Sequence, residues 1–166
     1  MPELLNWNKA LVVQRDPILG CIPTGYEWML RVCDFPEINF DRFQDEFNIQ
    51  ATGIADNNFH TIAQAVQNRY PVVRIAHRDF QNGIEKVEFV KHLVGNGIPC
   101  LLSLTLNPNG GWHIMPIIYI DNGVVRTIRS VEANGQVYLC EYTLEDIINR
   151  HTNWPGGKDL AWLNFQ

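Results

Sequence analysis

The sequence predicts an α+β protein in which helices come first and an antiparallel sheet follows. Three observations carry that class. A helix opens around Pro23 and repeats Tyr26, Met29, Leu30 and Cys33 at intervals of three and four, the period of a helix with a buried face. Two β-rich runs, from His113 to Ile120 and from Val124 to Val131, flank Asp121-Asn122-Gly123, and Asn-Gly between such runs is the strongest short-range hairpin signal. Ahead of them, Cys100 to Leu106 is apolar enough for a strand buried on both faces.

The other elements follow in chain order. Ala10 to Val13 is a short apolar run, a strand or an extended lead-in, and Asp16, Pro17 and Gly20 supply turn chemistry. Pro23 suits the first turn of a helix, where its fixed φ is an advantage and its missing N–H costs nothing. Asp34-Phe35-Pro36 stops that helix, and Phe40, Phe43 and Phe47 then mark a short surface helix packed by its aromatic edge. From Asp56 to Arg69, Phe59, Ile62, Ala63 and Val66 trace an amphipathic helix capped by Asp56 or Asn57 and ended by Pro71. Tyr70 to Ala76, rich in β-branched residues, reads as a strand. Gly83 to Gly97 reads as a helix closed by its glycines.

Asn107 to Gly111 has turn composition, Gln136 to Cys140 is a further short strand after Asn134-Gly135, and Leu144 to Arg150 is a helix. The tail, with Trp154 to Gly157 and Ala161 to Leu163, is expected to pack back on the core. Nothing repeats, and 166 residues suit a single domain over the whole chain, long enough to bury roughly 70% of its unfolded surface.

Composition narrows the function classes. Hydrophobic residues at 46% and charged residues at 19% belong to a folded globular chain. A net charge of −5 without any run of Lys or Arg argues against nucleic-acid or anionic-membrane partners, but leaves a peptide or protein substrate open. No long apolar segment and no basic-then-apolar start is visible, so the expectation is a cytoplasmic protein. Cys21, Cys33, Cys100 and Cys140 lack metal-ligand spacing with each other or with His60, His77, His92, His113 and His151, so free thiols are expected and no metal or cofactor is called for. Cys100 reads as core.

Cys21 stands apart because it falls at the start of the first long helix. Unpaired amides and the helix dipole favour thiolate there and can pull a thiol below its free value of about 8.5. The alternative is a small buried residue, the usual fate of a free cysteine.

Gln14, then Gly20-Cys21-Ile22-Pro23-Thr24 opening an apolar helix, then Gly97-Ile98-Pro99, a strand, and Gly111-Trp112-His113 before a hairpin, together resemble papain-like cysteine peptidases. The bacterial domains that cleave leader peptides after double glycines, and their free-standing relatives, look most similar. The resemblance covers most of the chain and implies a papain-like fold, with Cys21 as nucleophile, His113 as general base and Gln14 as side-chain donor of the oxyanion hole. Gln14 lies one residue further from Cys21 than is common in that family. Asn6 and Asn8 are alternative donors. No Asp or Asn in the strand after His113 matches the family's third member.

Hairpin register offers a substitute. With a two-residue turn at Asn122-Gly123, opposed residues have numbers summing to 245, so His113 faces Glu132, with Ser130 on a diagonal as runner-up. A one-residue shift would instead turn Glu132 to the other face as a solvated strand-end acid. The resemblance implies a thiol peptidase that hydrolyses a peptide or isopeptide bond without a cofactor. The same trio would also serve another acyl transfer, as an amidase or acyltransferase, and the rival is a catalytically silent relative that binds a peptide or protein partner. The sequence leaves the oligomeric state open.

Overall fold

In the computed structural model, residues 3–15, 20–48, 59–107, 110–149 and 159–163 are described. Among them are five α-helices, α1 (Cys21–Val32), α2 (Phe43–Phe47), α3 (Phe59–Arg69), α4 (Gly83–Gly95) and α5 (Leu144–Asn149). Six strands, β1 (Ile75–Asp79), β2 (Cys100–Asn107), β3 (Gly110–Asp121), β4 (Val124–Val131), β5 (Val137–Thr143) and β6 (Asp159–Leu163), form one antiparallel sheet in the order β1-β6-β2-β3-β4-β5. The α+β class and the antiparallel sheet are as the sequence predicts.

The layout is not helices first and sheet second. β1 precedes α4, and the tail at Ala161 to Leu163 does more than pack back: it enters the sheet as β6, between β1 and β2. Trp154 to Gly157 lie outside the described residues. Both faces are covered. One core joins α1, α2 and α3 through Ile22, Tyr26, Phe43, Ile62 and Val66 to Leu101, Ile114 and Ala161 of the sheet. The other joins α4 and α5 through Val87, Val90 and Ile147 to Leu102, Met115 and Leu160. Leu101 against Leu102, and Ile114 against Met115, show strand alternation dividing the sheet between two layers.

α1 is the centre of the first layer, with Ile22, Tyr26, Met29 and Leu30 all at 2% exposure or less. The short aromatic helix lies at 40–47, with Phe43 and Phe47 buried beneath it. The strand expected from Tyr70 to Ala76 begins later, at Ile75. Tyr70 N–H still bonds Val66 C=O and Val73 N–H bonds Tyr70 C=O, so the β-branched run is first used in the turn that leaves α3. Ala10 to Val13 joins no strand: Ala10 ends a 3-10 turn, and Leu11 begins an extended lead-in. The cap proposed at Asp56 or Asn57 lies outside the described residues.

The Asn122-Gly123 hairpin forms with both turn residues at positive φ, 52° and 77°, as a type I′ turn requires. Asp121↔Val124, Ile120↔Val125 and Tyr119↔Arg126 follow the predicted register. It then slips by one residue, and the last pair is Ile117↔Thr127. At this bulge Ile118 C=O accepts from Leu4 N–H at 2.8 Å, so the N-terminal segment enters where β4 parts from β3.

Candidate active site

Cys21 is the first residue of α1, and the helix start explains what surrounds its sulfur. Gly20 precedes it without a side-chain cap, while Gly20 C=O accepts from Thr24 N–H at 3.1 Å. Gly20, having no side chain, gives the first-turn amides no cap of its own. The N–H groups of Ile114, Cys21 and Ile22 are directed at Sγ and favour its thiolate.

Ile114 is the residue after His113. Its N–H therefore ties the start of α1 to the His113 end of β3, beyond the point where the β3–β4 ladder stops. One turn along α1, Gly25 lets the helix settle on β2 and β3. A Cβ there would lie 3.0 and 3.1 Å from the two methyls of Leu101 and 3.6 Å from Ile114 Cγ2.

His113 is half-buried and opposes Leu104 across β2–β3. Alternation sets it on the Met115 side of the strand, while Ile114 faces α1. The His113 side chain is therefore set on the face of β3 opposite α1, and among the described residues neither Cys21 nor His113 acts on the other's shift, which for His113 comes from burial alone.

Burial acts on both groups. It raises the Cys21 thiol above its ordinary value, outweighing the three N–H groups, and it lowers His113. The sequence expectation of a depressed thiol is thus reversed. Helix-start amides do act on the sulfur, but the loss of water around it is the larger effect. Burial pushes Cys33 up to about 11 and Cys100 to about 12, with no opposing donor at either. Cys100 is core, as predicted.

The register that selected Glu132 is not the one observed. The slip at Ile118 removes the pairing rule before it reaches His113, and Glu132 instead opens the next turn: its N–H bonds Gln136 C=O and its C=O accepts from Gly135 N–H. Its side chain is exposed. Ser130 is also exposed and pairs with Tyr138 of β5. Among the described residues, no carboxylate contributes to the shift of His113. His77 and His92 lie exposed on β1 and α4.

Gln14 is half-buried on the segment that leads toward α1. Its flanking residues are held by a buried side chain that the sequence did not signal. Gln44, 4% exposed, donates from Nε2 to Val13 C=O at 2.8 Å and accepts Arg15 N–H on Oε1 at 2.9 Å. A glutamine on a short acidic helix carries no pattern that marks it as buried.

A separate open groove of about 530 Å³ lies along α4, lined in part by Arg78, Ile84, Glu85 and Phe89. Arg78 lies over the rings of Phe80 and Phe89 there and pairs with Glu85 at 3.6 Å. This groove is lined by no thiol among the described residues. Among the described residues no cluster of three or more His, Cys, Asp or Glu could hold a metal ion, and no helix is long and apolar enough to cross a membrane.

Compared with known proteins, the chain matches no protein-family model, and no curated protein sequence matches it.

Proposed function

We propose that the chain is a cysteine hydrolase of papain-like fold that cleaves a peptide or isopeptide bond of a peptide or protein substrate. The observation that carries this reading is the sulfur of Cys21 at the uncapped start of the central helix, facing three backbone N–H groups, one of them from the residue beside His113. An inert core thiol such as Cys100 has no such donors.

In the proposed cycle, His113 takes the thiol proton as Cys21 Sγ attacks the carbonyl carbon. The Cys21 N–H and the Gln14 carboxamide receive the oxyanion. The C–N bond breaks as His113 returns the proton to the leaving amine. Water, deprotonated by His113, then attacks the thioester, releasing the acid and restoring the thiol. Glu132 has no part in this cycle. Amide hydrolysis or transfer to an amine would use the same steps with a different leaving group or acceptor.

A silent, peptide-binding relative is the second reading. It is favoured by burial, which leaves Cys21 and His113 both on the neutral side. Alkylation by iodoacetamide separates the two. Under the proposal Cys21 labels faster than Cys33 and Cys100, and His113→Ala slows Cys21 alone. Equal, slow labelling of these thiols, with His113→Ala inert, selects the silent relative.

A further inference from the structure

We infer that Gln44 is a positioning residue, the group that sets Gln14 relative to Cys21; this deepens the proposed acyl-transfer reading and rests on it. Gln44 sits on α2, outside the segments that carry Gln14 and Cys21. Its carboxamide bonds the backbone on both sides of Gln14, to Val13 C=O at 2.8 Å and Arg15 N–H at 2.9 Å. That is the pairing a neighbouring strand would supply, delivered by one side chain. Among the described residues no strand of the sheet pairs with the lead-in.

The remaining capacity of the same amide goes to α1. Thr24 Oγ1 lies 3.0 Å from Gln44 Oε1 and 2.6 Å from Gly20 C=O, so its single proton is shared between them. Gln44 also hydrogen-bonds the buried Glu27 carboxylate, which is paired with Arg31 at 3.1 Å. Two bonds thus hold the Gln14 segment and two hold the helix that starts at Cys21. Swapping oxygen and nitrogen would set acceptor against Val13 C=O and donor against Arg15 N–H, so the amide has one workable orientation.

Arg15 reinforces the clamp from the surface, with Nη1 2.7 Å from Asp45 and Nη2 2.6 Å from Asp41 C=O. Those groups are exposed and screened. Gln44 is buried, and a donor left without partners there is costly.

A pair of small probes tests this. p-Nitrophenyl acetate acylates a thiol through a tetrahedral oxyanion, whereas iodoacetamide alkylates it by displacement of iodide with no oxyanion. Gln44→Met keeps the volume and removes all four bonds. It should slow acylation of Cys21 about tenfold or more, since a displaced oxyanion donor loses much of its effect, while alkylation stays at the wild-type rate. In a Gln14→Ala background the same change should have little further effect, because a residue acting through Gln14 has nothing left to position. Thr24→Val, a milder loosening, should give a smaller fall of the same kind if Gln44→Met does not fold.

Equal slowing of both probes, or an undiminished fall in the Gln14→Ala background, overturns the positioning role. Wild-type protein whose Cys21 takes neither probe overturns the nucleophile reading itself, and the inference with it.

Discussion

Replacing Gly25 by Ala tests whether α1 is seated on the sheet as closely as the site requires. Two effects oppose. Alanine removes the entropy penalty of a mid-helix glycine, a gain of about 1 kcal/mol. Against that, the new methyl would sit 3.0 and 3.1 Å from the Leu101 methyls, several tenths of an ångström inside ordinary contact. Leu101 is 0% exposed in the core between α1 and the sheet, so its methyls are expected to hold and α1 to lift. Overpacking of this kind typically costs 1–3 kcal/mol, about 2 kcal/mol at the centre of that range. The net expectation is a loss of about 1 kcal/mol, or roughly 2–4 °C in Tm for a chain of this size.

The lift also draws Cys21 Sγ from Ile114 N–H, so alkylation of Cys21 should change where that of Cys33 does not. Gly95→Ala is the control. It lies in α4 with nothing within 4 Å of the added carbon, so only the entropy gain operates, and Tm should rise. Calorimetry on the two variants reads both signs. A Gly25→Ala protein that melts above wild type, as Gly95→Ala should, would refute the close seating of α1 on β2 and β3.

Cys21→Ala should abolish turnover of a peptide substrate while leaving Tm close to wild type, and Cys21→Ser should do nearly as badly, because a hydroxyl ionises far less readily than a thiol; residual activity in either removes Cys21 from the cycle. Stability should fall on both sides of neutrality. His113 is lowered from 6.5 in the fold, so the unfolded chain binds the extra proton first and stability is lost as pH drops below 6.5. Cys100 moves the other way, from 9.0 to about 12, so the folded chain holds its thiol proton longer than the unfolded one and stability is lost as pH rises above 9.0, and Cys100→Ala should flatten the alkaline limb of a denaturation series. Ser103→Ala should leave Tm unchanged or raise it, since the Ser103 hydroxyl is buried with no hydrogen-bond partner among the described residues; a fall of several degrees would mean the hydroxyl is satisfied.

The parts legible in the sequence were those written in local chemistry. Pro23 and the spacing of Tyr26, Met29 and Leu30 place the central helix, and Asn122-Gly123 places the hairpin, because φ preferences and side-chain period act within a few residues. Cys21 at the helix start belongs with these. What the sequence missed depends on residues far apart in the chain. β6 enters the sheet between β1 and β2, which no local pattern announces.

A one-residue slip at Ile118, where Leu4 takes the freed carbonyl, undid the register on which Glu132 was chosen. Gln44 gains its role only where Val13, Arg15, Thr24 and Glu27 converge on it. The direction of the Cys21 shift belongs here too. Helix position, readable from sequence, sets the donors around the sulfur. How much water it loses is set by β3 and the helix packed against each other, and that larger effect exists only once the chain has folded.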